Sequence, residues 1–157
     1  MEEEIDLNDV EVTEVDETGL TDLQLYGLNA TSVRLLSKIR QYIVLTQIQI
    51  DLVDKSHSIQ PIMREIYQFE ETKTIMSIRE EFDMFRVYTS DKIVTRNVNQ
   101  IRERFEQSIS FVTSNMQAVN SVYDKGYVQI LDTFADKLQQ VALTITSKSI
   151  LSENFNN

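Results

Sequence analysis

From Val94 to Ile145 an apolar residue returns at every third or fourth position without a miss. The series is Val94, Val98, Ile101, Phe105, Ile109, Val112, Met116, Val119, Tyr123, Tyr127, Ile130, Phe134, Leu138, Val141 and Ile145. It covers 51 residues in fourteen steps, near 3.64 residues per step. That spacing lies closer to the relaxed helical period of about 3.6 than to the heptad's 3.5, so the face runs nearly straight along a helix without a strong left-handed supercoil. A stripe this regular is a buried packing surface, and its members from Ile101 to Ile145 are the candidate protein-interaction residues of the chain.

The rest of the chain points the same way. It has 157 residues, three glycines, one proline, no cysteine and no tryptophan. A β-rich domain needs many tight turns, and these draw on glycine and proline. Long helices with few connections are what remain. The expected fold is all-α: long amphipathic helices forming either an antiparallel up-down bundle or an extended, coiled-coil-like assembly. The expected division is an acidic disordered tail at 1–19, a helical domain at 20–150 and a disordered C-terminus at 151–157.

Residues 20–30 have the makings of a short helix, with capping-box spacing between Thr21 and Gln24. Gly27 and Asn29 are expected to end it, and Thr31 or Ser32 to cap the next helix, 31–57. There Ser32, Leu36, Ile39, Ile43, Thr46, Ile50 and Val53 share a face. The alternation of Ile48, Ile50 and Leu52 suggests a strand, but no glycine or proline bounds the run, so helix is retained. Pro61 suits a first helical position and opens a helix over 61–88. Its stripe begins with Ile62, Ile66 and Phe69, then shifts at Lys73 to Ile75, Ile78, Phe82, Phe85 and Tyr88. The shift implies a second buried side or a bend.

Thr89, Ser90 and Asp91 supply candidate caps for the next helix. Two readings of Gly126 stay open. Asp124-Lys125-Gly126 resembles a helix end with glycine in the left-handed position, which gives helices 91–125 and 127–149 in a bundle. The unbroken phase of the stripe argues instead for one helix of about 85 Å at about 1.5 Å per residue, and hence an extended oligomer.

Charge is concentrated at one end. Of 25 acidic side chains ten lie in residues 1–30, where there is no Lys or Arg; the remaining fifteen balance the fifteen Lys and Arg of the body. Residues 1–19 set acids among isolated aliphatics, Ile5, Leu7, Val10, Val12 and Val15. Such a segment is a solubilising disordered tail, a linear motif able to add a strand beside a basic surface, or a flap over its own domain. The N-terminus, Met-Glu-Glu-Glu-Ile-Asp-Leu, reverses the order of a signal peptide. The longest apolar run is four residues, Tyr42 to Leu45, too short to span a bilayer. The expectation is a soluble protein with no signal peptide and no membrane span, cytoplasmic or part of an assembly such as a virion.

Chemistry is hard to build from these residues. With one histidine, His57, three residues after Asp54, a paired-histidine metal site is not available, and a residue there caps helix carbonyls. Glu80, Glu81, Asp83, Glu103 and Glu106 lie among Arg79, Arg86, Arg102 and Arg104, as solvated charge on an outer face. Lys92, Arg96, Arg102 and Arg104 form a thin basic patch interleaved with acids, so direct nucleic-acid binding is not expected. No catalytic residue, cofactor, metal or small-molecule substrate is expected. From Gln107 to Asn157 only seven residues are charged, and Ser, Thr, Asn and Gln fill the other polar positions. Phe111, Val122, Val128, Leu131 and Leu143 fall off the main stripe. This texture is similar to that of helices in bacterial filaments, secretion substrates and phage structural proteins. The expected function is therefore a non-enzymatic structural or assembly protein that self-associates. The alternative is a helical adaptor or chaperone that docks a basic partner through its acidic tail.

Overall fold

Gly19 takes a left-handed turn at φ 79°, and a reciprocal cap follows. The Thr21 hydroxyl oxygen accepts from the Gln24 amide at 3.2 Å, and the Gln24 side chain accepts from the Thr21 amide at 2.9 Å, the expected capping box. Of the leucines either side of the cap, Leu20 enters the main core cluster and the half-buried Leu25 packs against it. The computed structural model describes residues 19–56, 61–117, 119 and 125–155. Four helices account for most of them: α1 (Asp22–Ser56), α2 (Pro61–Tyr88), α3 (Lys92–Met116) and α4 (Lys125–Ser147). Among the described residues there is no strand, and their regular structure is all α-helix.

The first correction concerns α1. It does not end at Gly27 or Asn29 but runs unbroken past both. Gly27 is buried, and a Cβ there would overlap the ring of Tyr88 at the end of α2. Close approach of a ring, not a turn, is what this glycine permits. Thr31 and Ser32 are not caps either. Each hydroxyl donates back to the carbonyl four residues earlier, Gly27 at 2.8 Å and Leu28 at 2.9 Å, an arrangement interior to a helix. The buried line along α1 passes through Leu28, Leu35, Ile39, Tyr42, Ile50 and Val53. Ser32, Leu36 and Ile43 of the expected stripe lie at its half-buried margin.

Pro61 is the first residue of α2, as expected. The helix is continuous through Lys73, and only its second stripe enters the core. Ile78, Phe82 and Phe85 are buried, whereas Ile62, Ile66 and Phe69 are 68%, 48% and 63% exposed. At α3 the Asp91 carboxylate accepts from the amides of Ile93 and Val94 at 2.9 and 3.1 Å, so Asp91 is the cap. This helix stops at Met116, short of the expected 125, and α4 begins at Lys125. Gly126 sits in the first turn of α4, not in a left-handed position past a helix end, and the single rod through Gly126 is not formed. The even spacing of the stripe across Gly126 is a property of the sequence and does not require one helix.

Packing follows from these faces. α1 lies against α2 and α4; α3 lies against α4 and, more lightly, against α2. Contacts along each pair run in opposite directions. Gly27 meets Tyr88 and Arg34 meets Glu81, while Gln49 meets Glu71. On the other side of α1, Tyr42 meets Phe134 edge to face at 5.1 Å, and Gln49 meets Tyr127 at 3.5 Å. Between α3 and α4, Lys137 stands 4.9 Å over the ring of Phe111, and Arg104 reaches Thr144. A second, smaller cluster gathers Ile50, Val53, Tyr127 and Leu131 at the far end.

The C-terminal segment departs from the expected disorder. Residues 150–155 form turns, with Ile150 and Phe155 buried in the main cluster. Fully buried Asn97 of α3 fastens them, its amide donating to the carbonyls of Ile150 at 2.6 Å and Ser152 at 2.9 Å. Residues 1–18, with the tail aliphatics Ile5, Leu7, Val10, Val12 and Val15, lie outside the described residues, as do His57, Tyr123 and Val122.

Candidate functional site

One face of α2 is conspicuous for being apolar and uncovered. Ile62, Ile66, Phe69 and Met76 follow one another at helical steps, and Met76 is 58% exposed. By helical periodicity this row lies half a turn from Ile78, Phe82 and Phe85, the residues that hold α2 in the core. The helix is therefore anchored through its second half, while 61–77, exposed or half-buried throughout, presents the row to the outside. Glu81 strengthens the anchor. It is buried, and its two oxygens accept from Arg34 at 3.1 Å and Lys38 at 2.6 Å, both on α1. Burial by itself would push its carboxyl pKa up; the two cationic donors outweigh that and hold it below the usual carboxylate range. Arg79 grips both oxygens of Glu106 on α3 at 2.8 and 2.6 Å, and that hydrogen bonding holds the Glu106 carboxyl low.

These pairs correct in part the reading of the acidic groups as a solvated outer face: Glu80, Asp83 and Glu103 are exposed, but Glu81 is buried and Glu106 half-buried. Glu81, Glu106 and Asp83, which meets Arg102 at 2.8 Å, join neighbouring helices, with Glu81 well buried. The basic patch is likewise partly engaged: Arg102 by Asp83, Arg104 by Thr144, and Arg96 by the carbonyl of Glu153.

Where α2 and α3 touch only lightly, a cleft of about 440 Å³ opens, lined by Tyr42, Gln49, Arg64, Glu71 and Tyr127 among apolar walls from Ile109, Val112 and Leu131. The buried Gln49 amide of α1 donates to Glu71 of α2 at 3.0 Å. Arg64 donates to the Tyr127 hydroxyl, and its guanidinium stands 4.8 Å over the same ring. Burial pushes the Glu71 carboxyl up, opposed by the Gln49 hydrogen bond and the Arg64 charge. Burial raises both tyrosines as well, with the Glu71 charge adding to the effect. The cleft is thus a polar seam joining α1, α2 and α4, in which both phenols hold their protons. The signal for it was present in the sequence: Glu71 stands four before Ile75 and seven before Ile78, on the core side of the helix.

The expected interaction stripe is placed as follows. Val94, Val98, Ile101, Phe105, Tyr127, Phe134, Leu138, Val141 and Ile145 are buried among the chain's own helices. Ile109, Val112, Met116, Val119 and Ile130 are half-buried. Of the off-stripe residues Leu131 is buried, Phe111 and Val128 are half-buried and Leu143 is exposed. The stripe and the α2 row thus lie on different surfaces, one turned inward and one outward. Among the described residues no group of three or more His, Asp and Glu could hold a metal ion, and no helix is long and apolar enough to cross a membrane. Comparison with family models, with curated proteins and with solved structures finds no match.

Proposed function

We propose that the chain is a non-enzymatic structural or assembly protein: an antiparallel up-down four-helix bundle that associates with copies of itself, alone or within a larger structure such as a virion, filament or secretion-type assembly. The observation that carries this reading is the outward row of α2, Ile62, Ile66, Phe69 and Met76, exposed on a helix whose second half is held in the core by Ile78, Phe82 and Phe85. Single exposed apolar residues are ordinary, but an aligned row on one helix marks a contact surface. Covering it yields about 25 cal/mol per Å² of apolar area removed from water. The stripe from Ile101 to Ile145 supports the reading indirectly, by building the body that holds the row in place. The proposed partners are proteins, foremost the chain itself, with no nucleic acid, small-molecule substrate or cofactor required. The proposed setting is aqueous, the cytoplasm or the interior of an assembly.

Analytical ultracentrifugation over a range of concentrations tests this. The chain should be larger than a monomer at high concentration. Phe69→Asp should leave helical content intact and return the chain to monomer. A wild-type chain that stays monomeric throughout would overturn the reading. A second reading, an adaptor docking a basic partner through residues 1–19, is favoured by the ten acids and absent bases of the first thirty residues. It requires backbone signals of that segment to shift on addition of a basic peptide.

A further inference from the structure

The outward row of α2 has an internal symmetry. Take Phe69 as its centre. Seven residues before it stands Ile62, and seven after it Met76; four before it stands Glu65, and four after it Lys73. All five are exposed. A second copy of α2 laid antiparallel on the first, with Phe69 on the two-fold axis, sets Phe69 against Phe69. It sets Ile62 of each copy against Met76 of the other, and Glu65 of each against Lys73 of the other. Apolar meets apolar and negative meets positive, twice over, while the remaining member of the row, Ile66, falls opposite Thr72. A parallel pairing in register would set Glu65 on Glu65 and Lys73 on Lys73, opposing like charges.

We propose that the chain forms a two-fold symmetric dimer through α2, antiparallel about Phe69, with Glu65 and Lys73 forming the flanking charge pairs. This rests on the self-association proposed above and adds its geometry. A contact of this kind is isologous: the same patch serves both copies and the interface closes on itself. Lys73 is already drawn toward the centre of the row, its ammonium 5.1 Å over the Phe69 ring and 3.3 Å from Glu70. The extent of the contact is bounded as well. Past Met76 the next position on the line is Glu80, whose counterpart equally far before Phe69 would fall ahead of Pro61, where α2 starts. The part of α2 from Glu80 onward thus stays out of the interface. One short helix pair is small beside standard interfaces of about 1,600 Å², so the dimer should be concentration-dependent.

Charge reversal reads the register directly. Glu65→Lys alone and Lys73→Glu alone each place like charges at both flanks, and each should raise the dimer dissociation constant about tenfold. Mixed one to one, the two variants bring complementary charges together at both flanks, and the mixture should form a heterodimer of near wild-type affinity. The double variant Glu65→Lys/Lys73→Glu should likewise recover. Because all the altered positions are exposed, circular dichroism should report unchanged helicity in every case. If wild type dimerises but the mixture associates no better than either single variant, the register about Phe69 is wrong while self-association stands. If wild type is monomeric at all concentrations, both fall together.

Discussion

Gly27 illustrates how a residue's meaning depends on what lies across from it. Replacing an interior helical glycine with alanine normally stabilises by up to about 1 kcal/mol. Here the added Cβ would collide with the Tyr88 ring, and such overpacking costs about 1–3 kcal/mol. Gly27→Ala should therefore lower the melting temperature, whereas in a Tyr88→Ala background the same change should raise it. Calorimetry of the four proteins checks the reversal. Glu71 supplies a second test. Burial raises its carboxyl pKa in the folded chain, so folding favours the protonated form. The stability gained that way is fully present below the unfolded value of about 4.3 and is lost as pH rises through the higher folded value. At neutral pH the ionised group is thus a net cost. Glu71→Gln, which keeps an acceptor in the seam, should melt higher than wild type at pH 7 and show no such advantage in acid. Glu81 and Glu106 have the opposite sign: their stabilisation is present above the unfolded value and fades as pH falls through their depressed folded values.

At the scale of elements, local chemistry marks the starts of α1, α2 and α3, although the caps expected at Thr31 or Ser32 lie inside α1. The capping box at Thr21, the proline at Pro61 and the cap at Asp91 were all legible, because each acts within one turn of its own residue. Asp91→Ala should cost about 1 kcal/mol, a fall in melting temperature of about 2–4 °C for a chain of this size. Unchanged melting would mean that the amides of Ile93 and Val94 find another acceptor. Helix ends are less legible. At Gly27 the close fit against the Tyr88 ring outweighs the preference of glycine for a helix end; near Gly126 the chain does break, but α3 stops earlier, at Met116, and Gly126 lies in the first turn of α4. The stripe across Gly126 misled for a different reason: a period of about 3.6 repeats identically in one long helix or in two helices whose connection preserves the phase. On α2 the shift at Lys73 implied a second buried side or a bend, yet the helix runs on through Lys73 and the first stripe is exposed, because periodicity carries no sign of which face a neighbour covers.

For the whole molecule, the inward surface and the outward surface are set by different kinds of information. Helical class, the apolar identity of the stripe and the concentration of acid near the N-terminus are properties of single segments, and composition and spacing determine them. Only the tertiary arrangement decided that Ile101, Phe105, Tyr127, Phe134, Leu138, Val141 and Ile145 of the stripe are buried within the chain, that the row Ile62, Ile66, Phe69 and Met76 faces out, and that Ile150 and Phe155 close over α3. It also brought Glu81 between Arg34 and Lys38, and Gln49 onto Glu71. Those pairings span 43 to 47 and 22 residues of sequence, and nothing within a single helix specifies them. The physical reason is that a helix fixes its own periodicity through bonds four residues apart, whereas burial is a relation between surfaces that the sequence does not set side by side.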